Sequence, residues 1–104
     1  MPAKHILVVD DEEDILELVS YNLMREGYHV TCVETGEKAI KSAVSEQPDL
    51  IVLDLMLPGL SGLDVTRELK RDQRCAHIPI IMLTAKGEEA DVVSGLNKSE
   101  AKRS

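Results

Sequence analysis

Three aspartates and a threonine stand where chemistry could be done. Asp10 and Asp11 follow directly on Ile6-Leu7-Val8-Val9, Asp54 follows on Leu50-Ile51-Val52-Leu53, and Thr84 follows on Ile80-Ile81-Met82-Leu83. Carboxylates brought close together repel, so either one is protonated or a cation sits among them. Oxygen donors with no histidine or cysteine nearby suit a hard ion such as Mg²⁺, which keeps several waters and commonly shares its shell with a phosphate. The chemistry this points to is phosphoryl transfer. A carboxylate can itself be the nucleophile and form an acyl phosphate, provided a metal neutralises the oxygens of the group in flight. The Thr84 hydroxyl could bind a phosphoryl oxygen, and Ala85 is small enough to leave its backbone N–H accessible. The plain alternative is that each aspartate merely ends a strand or caps a helix. That suffices for any one of them and is weakened by all three standing at strand ends.

The elements that must position these residues are legible as a repeated unit. Leu50 to Leu53 and Ile6 to Val9 are short apolar runs without alternation, the pattern of strands covered on both faces. In an open α/β sheet, ligands bind outside the carboxyl ends of such strands, where the strand order reverses. After the first strand, Glu12, Glu13 and Asp14 offset the exposed N–H groups of a helix start and need no chemistry of their own. Ile15, Leu18, Val19 and Leu23 supply that helix with an apolar face, and Gly27 ends it. His29 to Val33 is a more polar strand that fits a sheet edge. Thr35-Gly36 opens a second helix burying Ala39, Ile40, Ala43 and Val44, and Pro48 closes that region.

The loop from Leu55 to Gly62 holds one proline and two glycines, a composition that shapes a chain rather than freeing it. Ser61 and Asp64 have the spacing of a cap for a third helix, which carries Leu63 and Leu69. A polar stretch, Arg71 to His77, leads to a fourth strand, Ile78 to Leu83, where Pro79 is tolerable near the beginning. Glu88 then opens a fourth helix with Val92, Val93 and Leu96. Four β-α units with short connections predict an α/β fold, a doubly wound parallel sheet with helices on both faces.

Composition excludes several classes. At 104 residues the chain is one domain, with 12 basic against 19 acidic side chains and a net charge of −7, which would repel a nucleic-acid backbone. No apolar run is long enough to span a bilayer and the N-terminus lacks a signal-peptide pattern, so a cytoplasmic location without membrane contact is expected. Cys32 and Cys75 carry no metal-ligand spacing and are expected to be small packing residues in a reducing compartment. With Tyr21 and Tyr28 the only aromatics, the core must be aliphatic.

Val8-Val9-Asp10-Asp11-Glu12, Asp49 through Gly59, Ser61-Gly62 and Pro79 through Ala85 together resemble the receiver domain of two-component response regulators, over about Lys4 to Leu96. The resemblance implies a flavodoxin-like sheet with strands in the order 2-1-3-4. It implies that Asp54 accepts a phosphoryl group from a sensor histidine kinase and that Asp11, Asp54 and the Met56 carbonyl bind Mg²⁺ directly. Asp10 would act through water, and Thr84 would contact the phosphoryl group. Glu88-Glu89 after Lys86-Gly87 is similar to members that carry a winged-helix DNA-binding domain, so the expected output is transcription, exerted outside these residues. The protein would be a signalling phosphoacceptor that catalyses only its own phosphorylation.

Receivers continue into a fifth strand ending in Lys-Pro and a fifth helix, and neither pattern is found after Leu96. The expectation is an incomplete receiver over 1–96 and a polar tail over 97–104 that extends the fourth helix. Lys86, Lys98 and Lys102 match the family's phosphoryl-pairing lysine by charge alone. A fourth strand left as an open edge leads to an expected homodimer or other self-association. Two further readings remain. One is a receiver-like interaction module that binds Mg²⁺ without switching. The other is a Mg²⁺-dependent phosphohydrolase, which usually shows a second aspartate two residues after the nucleophile, where this chain has Met56.

Overall fold

Four consecutive apolar residues, Ile6 to Val9, are removed almost entirely from solvent and fix the middle of the molecule. The computed structural model describes residues 3–83, and the expected fourth helix and tail lie outside them. The strands β1 (His5–Val9), β2 (His29–Val33), β3 (Leu50–Asp54) and β4 (Ile80–Leu83) pair in parallel in the order β2-β1-β3-β4. Three helices connect them: α1 (Glu13–Arg25), α2 (Gly36–Glu46) and α3 (Gly62–Arg71). The predicted strand order and the edge position of β2 are both observed.

Because side chains alternate across a strand, each central strand feeds two cores. Ile6 and Val8 pack with Leu16, Val19 and Leu23 of α1 on one face. Leu7, Val9, Ile51 and Leu53 pack with Ala39, Ala43, Val65 and Leu69 of α2 and α3 on the other. Full burial of each large aliphatic chain contributes about 1.5–3 kcal/mol. That is why β1 and β3 have no polar face to spare.

The helix ends follow local rules. At the end of α1, Gly27 takes φ +94°, its N–H bonds the Met24 carbonyl at 3.0 Å, and the Tyr28 N–H bonds the Leu23 carbonyl at 3.2 Å. This is the paired-bond stop that glycine favours. The Thr35 hydroxyl accepts from the Lys38 N–H at the start of α2, and Ser61 and Asp64 form a reciprocal capping box on α3. After α3, Asp72 accepts from the backbone and guanidinium of Arg74, which holds its carboxyl down to about 2.

Three expectations need correction. Leu18 is 60% exposed, and Leu16 takes its place in the core. With apolar residues at 15, 16, 18, 19 and 23, α1 offers two adjoining stripes, and the one that meets Ile6 and Val8 wins. The third helix carries Leu63 and Leu69 as expected; Leu69 and Val65 are buried, and Leu63 is exposed. The fourth strand begins at Ile80 rather than Ile78. Ile78 donates its N–H to the Cys75 carbonyl at 3.0 Å and belongs to the preceding turn, while Pro79, which has no N–H, contributes only its carbonyl to Ile51. Cys75 is buried as expected, but Cys32 is exposed on edge strand β2.

Gly36 has no room for a side chain. A Cβ there would stand 2.7 Å from Val65 Cγ2 and 2.8 Å from the Leu60 carbonyl oxygen. Gly36→Ala is expected to destabilise the fold by about 1–3 kcal/mol through overpacking, seen as a lower urea midpoint at unchanged slope. In the native state a thiol reagent should modify Cys32 well before Cys75, because desolvation pushes both thiols up in pKa but only Cys75 is shielded from the reagent. Simultaneous modification of both would contradict the packing described.

Candidate phosphoryl-acceptor site

Strand register assembles the site. In the β1–β3 pair, Ile6 lies beside Leu50 and Val9 beside Leu53. One further step along both strands sets Asp10 next to Asp54. The connection through α1 runs to one side of the sheet and that through α2 to the other, so β1 and β3 flank the point where the strand order reverses. In open α/β sheets the crevice that takes ligands lies at such a point, above the carboxyl ends. Asp10, Asp11 and Asp54 converge there, each offering a carboxylate oxygen within 4.8 Å of the others.

Asp10 and Asp54 are buried, whereas Asp11 is exposed at the mouth. The Asp10 N–H donates to the Val33 carbonyl at 3.2 Å, and its carboxylate accepts from the Glu12 N–H at 2.8 Å. That bond shapes the turn into α1. Asp54 repeats the device, for its carboxylate accepts from the Met56 N–H at 3.1 Å. Met56 is 60% exposed and meets the acids through its backbone N–H.

The loop behind Asp54 is held at both ends. Pro58-Gly59, with Gly59 at φ +72°, turns the chain as a proline–glycine pair does when positive φ is needed at the second position. The Leu55 N–H bonds the Leu83 carbonyl at 3.2 Å, and the Gly62 N–H bonds the Leu55 carbonyl at 3.1 Å. Thr84 and Ala85, singled out from the sequence, lie outside the described residues.

Three clustered carboxylates with oxygen donors only, two of them buried, match the donor set of a hard divalent cation. The residues present therefore fit Mg²⁺.

Residues 6–102 match the family model of the response regulator receiver domain. The chain belongs to that family. It is 56% identical over 93 residues to the alkaline phosphatase synthesis transcriptional regulatory protein PhoP of Bacillus subtilis, a match covering 89% of this chain and 38% of that protein. The receiver thus spans about two fifths of that relative's length. The receiver domain of a sensor histidine kinase from Pseudomonas aeruginosa, solved with a magnesium ion coordinated in its active-site cleft, is 31% identical at a TM-score of 0.78. That match covers 98% of this chain and 84% of the other. A chain of the crystal structure of histidine kinase ThkA in complex with response regulator protein TrrA is 40% identical at a TM-score of 0.73, covering 96% and 82%. Receivers of this family are signalling proteins. No helix among the described residues of this one is long and apolar enough to cross a membrane.

Millimolar Mg²⁺ is expected to raise the melting temperature, because an ion that binds only the folded state adds stability by mass action. Differential scanning calorimetry should show the rise in the natural sequence and its loss in Asp54→Ala and Asp11→Ala. An unmoved melting temperature in the natural sequence would mean that the crevice does not hold the ion.

Proposed function

We propose that this receiver accepts a phosphoryl group on Asp54 from the phosphohistidine of a sensor histidine kinase, in a Mg²⁺-dependent reaction. The observation that carries the reading is the convergence of Asp10, Asp11 and Asp54 at the carboxyl ends of adjacent β1 and β3. An Asp54 carboxylate oxygen forms the new P–O bond as the donor's P–N bond breaks. The electron pair goes to the imidazole nitrogen, which takes up a proton from solvent. Bound Mg²⁺ supplies charge neutralisation for the phosphoryl oxygens.

The chain's own residues do the rest. Asp11, Asp54 and the Met56 carbonyl would hold the metal directly, and Asp10 would act through a water. The Met56 N–H, already on the Asp54 carboxylate, holds the nucleophile's orientation. Thr84 and Ala85 contact the transferred phosphoryl group through the hydroxyl and the backbone N–H. The modified domain then regulates an output, in this reading transcription, as the name of the Bacillus subtilis relative states for that protein. The chain is a phosphoacceptor that promotes only its own phosphorylation.

Self-association belongs to the same reading. Among the described residues β4 pairs only with β3, and Ile81 on it is 51% exposed. Such an edge favours pairing with a second copy, and a homodimer is the simplest closed form. Light scattering across a dilution series is expected to show a dimer that dissociates, and a monomer at every concentration would remove this part of the proposal.

Incubation with acetyl phosphate and Mg²⁺ should add one phosphoryl group by intact mass, labile to hydroxylamine, in the natural sequence and none in Asp54→Asn. An undiminished acyl phosphate in Asp54→Asn would overturn the assignment. Metal binding without any phosphoryl uptake would favour a Mg²⁺-binding interaction module instead.

A further inference from the structure

A glycine opening a helix brings no side chain to pack and leaves room for a close backbone approach. Gly62 occupies that position in α3, directly after its Ser61 cap. It is buried, and the atoms that face it are backbone rather than side chain. A Cβ at Gly62 would collide with the Asp54 carbonyl oxygen, would lie 2.8 Å from Leu55 Cα and would lie 3.1 Å from the Leu55 carbonyl oxygen. Backbone atoms cannot swing aside as the end of a flexible side chain can. The Gly62 N–H simultaneously bonds the Leu55 carbonyl at 3.1 Å, so the helix is tied as well as pressed to this peptide. From the other side the Leu55 N–H is held by the Leu83 carbonyl of β4.

We propose that Gly62 is a positioning residue for the acid crevice: its close seat on the Asp54–Leu55 peptide sets where the Asp54 carboxylate stands relative to Asp10 and Asp11. The inference rests on the reading of Asp54 as metal ligand and phosphoryl acceptor. The geometry of the lever is short. Asp54 is anchored through its peptide by Gly62 and through its carboxylate by the Met56 N–H, so displacing the peptide displaces both the acceptor oxygen and the amide that orients it. The rest of α3 does not share this role. Leu69, at the other end of the helix, packs into the core beneath the sheet and stabilises the fold without touching the crevice.

The test compares Gly62→Ala with Leu69→Ala by NMR titration with Mg²⁺ and by initial rates of phosphorylation with acetyl phosphate. Leu69→Ala is expected to lower the melting temperature while leaving the Mg²⁺ dissociation constant of the folded protein within about twofold, as distant independent sites do. Gly62→Ala is expected to shift the Asp54, Leu55 and Met56 amide signals and to weaken Mg²⁺ binding by about 10- to 100-fold, the usual loss when the support of a ligand is disturbed. Its phosphorylation rate should remain depressed at saturating Mg²⁺. Unshifted amides and unchanged affinity in Gly62→Ala would overturn the proposal. Should Gly62→Ala not fold, the natural sequence still decides: Mg²⁺ binding is expected to move the Gly62 amide signal, and an unmoved signal would overturn the coupling. Absence of phosphorylation in the natural sequence, with Mg²⁺ bound and Gly62→Ala still weakening it, would remove the acceptor reading and leave the positioning role standing.

Discussion

The parallel pairing of β1 with β3 is the constraint on which everything else rests. Both strands are buried on both faces, so neither can slip by one residue without sending its apolar side chains into the wrong core. Fixing the register for the sake of packing also fixes Asp10 beside Asp54. The site is in this sense a by-product of the core: the strands end together, on the same side, and each ends in acid. Two buried carboxylates and a third, exposed one are thereby grouped at the carboxyl ends of the strands. Carboxylates grouped in this way are the donor type that a hard divalent cation takes.

Around that pair the supporting contacts fall into two kinds. The amino ends of the strands are tied by charge and hydrogen bonding remote from the crevice. There the Asp49 carboxylate accepts from the His5 N–H at 2.8 Å, and the His5 ring meets the Thr31 hydroxyl at 2.8 Å. The carboxyl ends are tied by close backbone approach instead. Gly36 lets the start of α2 rest on Leu60 and Val65, and Gly62 lets the start of α3 rest on Asp54 and Leu55. Loop 55–61 is therefore clamped between two glycine seats and the edge of β4. A loop held this firmly can keep the Met56 amide on the Asp54 carboxylate without a side chain to enforce it.

Much of this was legible in the chain because the signals were local. Ile6 to Val9 and Leu50 to Leu53 announced buried strands, and the acids after them announced the site. Ser61 with Asp64 announced a helix start, and the capping box is there. What could not be read depended on partners distant in sequence. Leu16 and Leu18 are equally apolar, and only the position of β1 beneath α1 decides that Leu16 is buried and Leu18 is not. Ile78 continues an apolar run, yet its N–H is claimed by Cys75 in the preceding turn. Cys32 is small and apolar enough for a core but stands on an edge strand. Gly62 reads in the sequence as the end of a loop, whereas it opens α3, and its close seat on the Asp54–Leu55 peptide depends on the fold.

The most direct test of the central claim, that the sheet itself assembles one three-acid crevice, replaces Mg²⁺ by paramagnetic Mn²⁺ and reads which amide signals broaden. If the strand register brings the three acids together, broadening at low Mn²⁺ will be confined to residues around Asp10, Asp11 and Asp54 to Met56, and the opposite end of the sheet near His5 and Asp49 will stay sharp. Broadening spread along Glu12, Glu13, Asp14 and Glu17 of α1, with Asp54 and Met56 unaffected, would show a diffuse acidic surface and contradict the account.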